Sequence, residues 1–353
     1  MSLSCGLVGL PNVGKSTLFN AILKKAVAAA ANYPFCTIEP NIGHVPVDDQ
    51  RLNVLGEISK TEKIVPALLT CVDIAGLVKD AHKGKGLGNQ FLGHIRECDL
   101  IIQVLRCFDD PDIIHVEGSV DPLRDYDTIN LELQFCDIEK LEKILEQRKV
   151  DNKMKELAQI ARDHLSSNYF LNTKEWGKEE LLFFTQQGLL THKKMLVVAN
   201  TQNASDDKYV KQISHLNPIK VSASFEQMLQ ELDNEEERLM MLKEYGQESS
   251  ALTLILQSAY KELGLISFLT TGKQETRAWS VKKGETMQDA AGVIHTDFYK
   301  GFISAEVVKY DDFVNHNGWQ GSREKGLVRT CAKNVLVEDG DICLFKSFNS
   351  SGK

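Results

Sequence analysis

The stretch GLPNVGKST, residues 9–17, decides the fold class of this chain. It has the spacing G-x-x-x-x-G-K-S, which is informative only where a strand leads into it and a helix follows it. Residues 3–8 form a short, mostly apolar run, and apolar side chains recur at helical spacing over residues 18–23. Because both flanks fit, the stretch predicts a phosphate-binding loop (P-loop) in an α/β protein.

The chemistry of phosphate binding explains this spacing. Glycines allow backbone N–H groups to curl around phosphate oxygens, and the start of a helix adds partial positive charge. We expect Lys15 to reach the β- and γ-phosphates and to act in catalysis, and Ser16 to ligate Mg²⁺. The residues of the loop predicted to contact the nucleotide are Asn12, Val13, Gly14, Lys15, Ser16 and Thr17.

Two further parts of a nucleotide switch follow in the expected order. Thr37 lies in NYPFCTIEPN, residues 32–41, and Asp73 and Gly76 form D-x-x-G after an apolar run. We predict that Thr37 is a second Mg²⁺ ligand and that Asp73 holds Mg²⁺ through water. The backbone N–H of Gly76 is expected to contact the γ-phosphate.

The residue after D-x-x-G is Leu77, where Ras-like switches place a glutamine that orients the attacking water. Leucine cannot form that hydrogen bond, so hydrolysis is expected to be slow or to depend on another group. His82, His94 and His115 are the candidate substitutes, although an ordinary surface or packing role is open for each. We rank His115 first as the catalytic candidate, for a reason given below.

The apolar run that ends in ANTQN, residues 199–203, predicts a buried strand followed by a base-reading loop. Guanine presents two neighbouring donors, which a carboxylate accepts, whereas adenine presents a donor beside an acceptor. Asn203 carries one donor and one acceptor and therefore matches adenine better. The backbone groups of Asn200 and Thr201 are alternative readers of the base.

A second short motif supports a base pocket. The sequence VSAS, residues 221–224, follows about twenty residues after the predicted strand end. Ser-Ala after a short apolar stretch forms the second wall of this pocket in GTPases. We therefore predict that Ser222 and Ala223 also contact the nucleotide.

The bulk composition is that of an ordinary globular protein. The 353 residues are 42% apolar and 25% charged, with a net charge of −8, which argues against a wholly basic nucleic-acid coat. The eight cysteines include no C-x-x-C pair, and no apolar run approaches the ~20 residues that span a bilayer. We expect a reduced, cytoplasmic protein with no membrane association.

The pattern changes twice along the chain. From about residue 128 the sequence is charged and, as far as residue 176, free of glycine, and its apolar spacing predicts a helical, coiled-coil-like insertion that returns to the strand near 195. From about residue 271, short strands and one helix suggest a β-grasp domain. The predicted segments are 1–127 (first part of the P-loop G-domain), 128–194 (helical insertion), 195–270 (second part of the G-domain) and 271–353 (β-grasp).

The motifs GLPNVGKSTLFNA, NYPFCTIEPN, DIAGLV, KGKGLGNQFL and RCF together resemble the YchF/Obg-like ATPase family. The resemblance implies a G-domain with a mostly parallel sheet, a helical insertion and a C-terminal TGS domain of β-grasp fold. It implies preference for ATP, Mg²⁺ dependence and slow hydrolysis, and it fits the hydrophobic residue at Leu77. Asn200 matches the first residue of the family's base-reading motif, and His115 matches a family histidine proposed to assist hydrolysis, whereas Asn203 stands where the family has a glutamate.

The resemblance also implies a ribosomal partner, either the large subunit or the 70S particle. RNA is a candidate partner of the TGS domain, which carries Lys273, Arg277, Lys282 and Lys283, although a merely solvated surface explains these residues equally well. Two other functions stay open: an Obg-like GTPase, and a nucleotide-gated ribosome- or RNA-binding protein whose hydrolysis is incidental.

Overall fold

The computed structural model describes residues 3–30, 41–74, 87–203, 208–232 and 234–348. These residues form two compact units. The first unit contains the described parts of 1–30, 36–45 and 70–255, and the second those of 46–69 and 256–353. Among the described residues, no helix has both the length and the apolar character needed to cross a membrane.

The described residues contain twelve strands and thirteen α-helices. The strands are Ser4–Val8 (β1), Ile42–Val47 (β2), Lys63–Val65 (β3), Ala67–Asp73 (β4), Leu100–Arg106 (β5), Lys194–Asn200 (β6), Ile219–Val221 (β7), Leu265–Thr271 (β8), Glu275–Lys282 (β9), Phe302–Lys309 (β10), Arg329–Cys331 (β11) and Asp341–Ser347 (β12). The helices are Lys15–Ala30 (α1), Arg51–Ser59 (α2), Leu87–Glu97 (α3), Pro122–Glu146 (α4), Asn152–Ser166 (α5), Lys178–Gln187 (α6), Ala223–Leu229 (α7), Glu235–Glu244 (α8), Ala251–Glu262 (α9), Met287–Ile294 (α10), Thr296–Lys300 (α11), Tyr310–Asn315 (α12) and Trp319–Glu324 (α13).

The first unit is built on a sheet with the strand order β2-β4-β1-β5-β6-β7. The pairs β4–β1, β1–β5, β5–β6 and β6–β7 are parallel. All seven residues of β5 are buried, as expected for a central strand of a parallel sheet that is covered on both faces. Parallel strands bring their carboxyl ends to one edge, so Val8, Asp73 and Asn200 end at the same edge of the sheet.

The helical insertion consists of α4, α5 and α6, which share a core of their own. Helix α4 begins at Pro122, earlier than the predicted boundary at residue 128, because Asp121 caps it by accepting a hydrogen bond from the Arg124 N–H at 3.0 Å. The buried residues of this core are Leu141, Ile144, Ala158, Ala161, Leu165, Leu171, Phe183, Phe184 and Leu189.

The second unit is built on a sheet with the order β11-β10-β12-β8-β9-β3. Its one early strand, β3, pairs in parallel with β9, with Lys63 opposite Glu275. Residues 46–69 consequently cluster with the C-terminal part of the chain, whereas the sequence-based boundary assigned all of 1–127 to the G-domain. In the C-terminal part, α10 begins with a capping box between Thr286 and Asp289.

A buried carboxylate holds the end of the insertion against the start of β6. Asp137 of α4 is 1% exposed and accepts hydrogen bonds from the backbone N–H groups of Leu190 and Thr191, both at 2.8 Å, and from the Thr191 hydroxyl at 2.7 Å. Burial raises the pKa of Asp137 from 3.8 to about 6, although these hydrogen bonds act in the opposite direction. The return of the chain to the sheet therefore depends on an ionisable group inside the protein.

We expect Asp137→Asn to remove a pH dependence of stability. Because its pKa is raised in the folded chain, Asp137 contributes stability that is complete below pH 3.8 and is lost as the pH rises to about 6. Between about pH 4.5 and about pH 7 the unfolding free energy of the wild type should fall by roughly 2 kcal/mol more than that of the variant.

Urea unfolding followed by Trp176 fluorescence measures this difference. Trp279→Phe and Trp319→Phe in the background leave Trp176, which packs on the insertion core, as the fluorophore. Asp151→Asn, at an exposed position of the same insertion, is the control and should keep the wild-type pH profile. Equal pH profiles for the wild type and Asp137→Asn would contradict the prediction.

Candidate nucleotide site

The predicted P-loop connects β1 to α1 at the carboxyl edge of the parallel sheet. Helix α1 begins at Lys15, and the Leu18 N–H donates to the Gly14 carbonyl at 3.0 Å. Gly14 has φ +88°, and a Cβ atom there would lie 2.1 Å from Nδ2 of Asn200. Only glycine fits this backbone and this close approach, so the second glycine of the motif is required by geometry.

Oppositely charged side chains face each other beside the loop. The Lys15 ammonium is buried and forms an ion pair with Asp73 at the end of β4, and the Ser16 hydroxyl lies 3.5 Å from the other Asp73 oxygen. A cavity of about 540 Å³ opens over these groups. It is lined by Leu10, Pro11, Asn12, Gly14, Lys15, Ser16, Thr17, Asn41 and Asp73. A phosphate entering this cavity would compete with Asp73 for the Lys15 ammonium.

The donor set fits the magnesium ion that P-loop chemistry implies. Mg²⁺ prefers hard oxygen ligands and is usually held by one or two carboxylate or hydroxyl groups together with substrate phosphates and water. The Ser16 hydroxyl and the Asp73 carboxylate supply such oxygens at the edge of the cavity. The other predicted ligand, Thr37, lies outside the described residues, as do Gly76, Leu77 and His82.

Asn200, at the end of β6, joins the P-loop to the predicted second wall of the base pocket. Its amide donates to the Val13 carbonyl at 2.8 Å and accepts from the Ala223 N–H at 3.0 Å. The side chain is 4% exposed, so both contacts are shielded from water. The amide is therefore engaged by the protein, and Asn200 shapes the site by holding Val13 and Ala223 in place.

The neighbouring predicted base readers differ in exposure. Thr201 is buried, and its N–H donates to the Val221 carbonyl at 2.7 Å. The Ser222 hydroxyl lies 3.2 Å from the Gln202 carbonyl and caps α7. Asn203 is exposed just beyond the strand end. The structure thus brings Asn200, Thr201 and Ser222 together, with Asn203 on the solvent side.

The candidate catalytic histidine is buried beside the P-loop rather than in the cavity lining. His115 is 7% exposed, and its Nε2 lies 2.8 Å from a carboxylate oxygen of Asp125. Its Nδ1 accepts a hydrogen bond from the Glu117 N–H at 3.1 Å. His94, the other described candidate, is exposed on α3. A role of His115 in hydrolysis stays a prediction.

Sequence reasoning missed two buried residues: Asp125, which contacts this histidine, and Arg106, which contacts the loop that carries it. Asp125 is 1% exposed, and Arg106 is 2% exposed at the end of β5. The signal that could have revealed Arg106 is its place at the end of an apolar run, LIIQVLR, where a charged side chain is expected to be buried and paired. Asp125 carries no such signal, because its helix also contains many exposed carboxylates.

Two family models match the chain. Residues 4–201 match a model described as "50S ribosome-binding GTPase", and residues 265–349 match YchF-GTPase_C, described as "Protein of unknown function (DUF933)". A "Ribosome-binding ATPase YchF" of Haemophilus influenzae is 42% identical, covering 98% of this chain and 99% of the relative. The rat "Obg-like ATPase 1" is 42% identical, covering 99% and 93%.

A solved structure agrees with these sequence relatives. The Schizosaccharomyces pombe YchF GTPase is 37% identical and covers 98% of both chains with a TM-score of 0.87. This confirms the predicted fold class: an α/β P-loop domain with a parallel sheet, helical segments and a C-terminal β-rich domain. By sequence over its full length and by structure, this chain belongs to the YchF/Obg-like ATPase family.

Proposed function

We propose that this protein is a P-loop switch that binds and slowly hydrolyses ATP, in preference to GTP, with Mg²⁺, and that it works on the ribosome. The observation that carries the proposal is the set of Lys15, Ser16 and Asp73 around one cavity at the carboxyl edge of the sheet. A cation, a hydroxyl and a carboxylate so placed are the groups that phosphoryl transfer to water requires.

The phosphate-binding roles follow from position. Lys15, at the first turn of α1, takes the β- and γ-phosphates, and the backbone N–H groups of residues 12–17 surround their oxygens. Ser16, Thr37 and, through water, Asp73 hold Mg²⁺, which neutralises charge on the phosphates when it is bound. Gly76 completes the contact with the γ-phosphate.

Two features support slow hydrolysis. Leu77 cannot orient a water molecule, because its side chain has no hydrogen-bonding group. Both ring nitrogens of His115 already have protein partners, so this histidine has no free lone pair to offer a water. We propose that an external partner supplies or organises the missing water-positioning group.

The names of the relatives disagree about the base. The bacterial and rat relatives are called ATPases, whereas the fission-yeast structure and one family model carry the word GTPase. Asn203 offers a donor and an acceptor, which match adenine, and lacks the carboxylate that would accept both guanine donors. An unmatched polar group that the bound base shields from water costs about 1–3 kcal/mol, equivalent to roughly ten- to a hundredfold in affinity. This favours ATP.

The partner and the remaining assignments come from the relatives and from composition. The bacterial relatives are named ribosome-binding proteins, and we propose a ribosomal partner, the large subunit or the 70S particle, for this chain in the cytoplasm. The helical insertion of 128–194 and the TGS domain of 271–353 are the proposed contact regions, with RNA as a candidate ligand of the latter.

An Obg-like GTPase is the second candidate. It is favoured by one observation, namely that residues 4–201 match a model described as a GTPase while Asn203 departs from the family glutamate. The third candidate is a nucleotide-gated binding protein whose hydrolysis is incidental. Acceleration of ATP turnover by ribosomes would distinguish the ATPase switch from this third candidate.

Lys15→Ala should weaken binding of MgATP about ten- to a hundredfold, because it removes a charge-assisted contact with phosphate. Equilibrium titration with MgATP measures the effect. Lys24→Ala is the matched control, since Lys24 lies on the same helix and pairs with Glu231 on the surface. If Lys15→Ala binds MgATP as tightly as Lys24→Ala does, Lys15 is not a phosphate ligand.

ATP should bind the wild type at least about tenfold more tightly than GTP, and Asn203→Asp should narrow or reverse the ratio. Competition titrations of both nucleotides on both proteins give the ratio. Gln202→Glu adds the same charge at the adjacent exposed position and should leave the ratio unchanged. A ratio unchanged in Asn203→Asp would transfer base recognition to the backbone near Thr201, and tighter GTP binding by the wild type would favour the GTPase candidate.

Ribosomes should accelerate ATP turnover, because intrinsic rates of P-loop switches are only about 10⁻⁴–10⁻³ s⁻¹ even with the glutamine present. Phosphate release is measured with and without 70S particles and separated large subunits. Lys15→Ala should show no stimulated turnover, which excludes hydrolysis by the ribosome preparation. Turnover that ribosomes leave unchanged, despite binding, would support the nucleotide-gated binding protein.

A further inference from the structure

The loop after β5, residues 107–121, is held internally by a buried arginine. Arg106 donates to the carbonyl oxygens of Phe108 at 3.1 Å, Asp110 at 3.2 Å and Ile113 at 2.9 Å. Its guanidinium also lies 4.6 Å from the centre of the Phe108 ring. We call residues 107–121 the brace loop. Because Arg106 is 2% exposed and its guanidinium donates to three carbonyls, it fixes the first half of the brace loop.

The second half of the brace loop is held by His115 and Asp125. Because Nδ1 of His115 accepts from the Glu117 N–H, Nε2 carries the ring proton and donates to Asp125 at 2.8 Å. The other Asp125 oxygen accepts from Arg124 at 3.2 Å. His115 is thus locked in one tautomer: Nδ1 holds the loop backbone at Glu117, and Nε2 ties the ring to Asp125 on α4.

Between these two anchors, the brace loop contacts the P-loop. The Ile114 carbonyl accepts a hydrogen bond from the Asn12 side-chain amide at 3.1 Å. The contact is made by the backbone of Ile114, whose side chain is 79% exposed. Asn12 has φ +63°, a left-handed conformation that its side-chain hydrogen bond helps to hold.

We infer that His115 and Asp125 are positioning residues for nucleotide hydrolysis, which act by holding the Ile114 carbonyl that fixes Asn12. The P-loop backbone then keeps the curvature that its N–H groups need around phosphate. His115 thereby affects the reaction through the shape of the P-loop and without touching water. The inference rests on the proposed nucleotide site, but it is independent of the base, because phosphates are common to ATP and GTP.

The test compares variants that break the contact from either side. Asn12→Gly removes the amide while allowing the positive φ, and His115→Ala removes the anchor of the brace loop. Each should weaken both MgATP and MgGTP about tenfold. The double variant should bind each nucleotide no more weakly than His115→Ala alone does, because both substitutions break the same series of contacts.

His115→Gln separates positioning from proton transfer. Its amide can donate to Asp125 as Nε2 does, yet it cannot act as a base. We expect it to restore binding to within about threefold of the wild type, with a matching single-turnover rate. Val116→Ala, at an exposed side chain of the same loop, is the control and should match the wild type.

Two results would overturn the inference. One is additive losses for Asn12→Gly and His115→Ala. The other is a loss of hydrolysis rate in His115→Ala with unchanged affinity, whether or not His115→Gln keeps the rate, because a glutamine amide can itself orient a water; that result would make His115 part of the chemistry. If His115→Ala does not fold, Asn12→Gly and His115→Gln still decide, since one breaks and the other keeps the contact. If the wild type prefers GTP, only the proposed preference for ATP is wrong. The inference about His115 and Asp125 is still tested, because each variant is compared with the wild type for each nucleotide.

Discussion

The two hydrogen bonds of the Asn200 amide are the interaction on which the rest of the site depends. They tie the end of β6 to the Val13 carbonyl on one side and to the Ala223 N–H on the other, at 2.8 and 3.0 Å. All of these groups are buried, so breaking either contact would leave unsatisfied polar atoms at a cost of about 1–3 kcal/mol each. The same approach requires glycine at Gly14. The P-loop and the predicted base-binding segments are therefore joined in one frame.

Within that frame, the Lys15–Asp73 pair is the exchangeable element. Lys15 projects from the start of α1 and Asp73 ends β4, so the pair connects the helix that follows the P-loop to a strand of the parallel sheet. A triphosphate offers the ammonium more negative charge than one carboxylate does, and a magnesium ion bound as proposed would offer Asp73 a counter-ion in return. Binding can thus replace one ion pair by two favourable contacts without moving the P-loop.

Much of the site could be predicted from sequence because its signals are local. GLPNVGKST, the apolar runs before Asp73 and Asn200, and VSAS each reveal a strand end and its polar residues within about ten positions. Parallel pairing then places those ends at one edge. The fold class followed from the same pattern and from the family resemblance.

The features that sequence reasoning missed depend on contacts between distant residues. The strand β3 joins the sheet of the second unit through Lys63–Val65, a short segment whose partner β9 lies more than two hundred positions later. Asp137 and Asp125 look like ordinary helix carboxylates, yet each is buried by partners that local periodicity does not reveal. Burial of a charged group results from tertiary packing, which the periodicity of apolar residues and the spacing of motifs in the sequence do not predict.

The placement of these contacts limits how the protein can signal its nucleotide state. The P-loop is held from two directions, by Asn200 on the Val13 carbonyl and by the Ile114 carbonyl on Asn12. We expect a loop held on both sides to change little when phosphate binds. Asp73, by contrast, would lose Lys15 as its partner under the proposed phosphate binding, and its own backbone N–H donates to the Asn41 carbonyl at 2.9 Å. If the proposed site is correct, we expect a nucleotide-dependent change to begin at the end of β4, at Asp73 and Asn41, rather than in the P-loop itself.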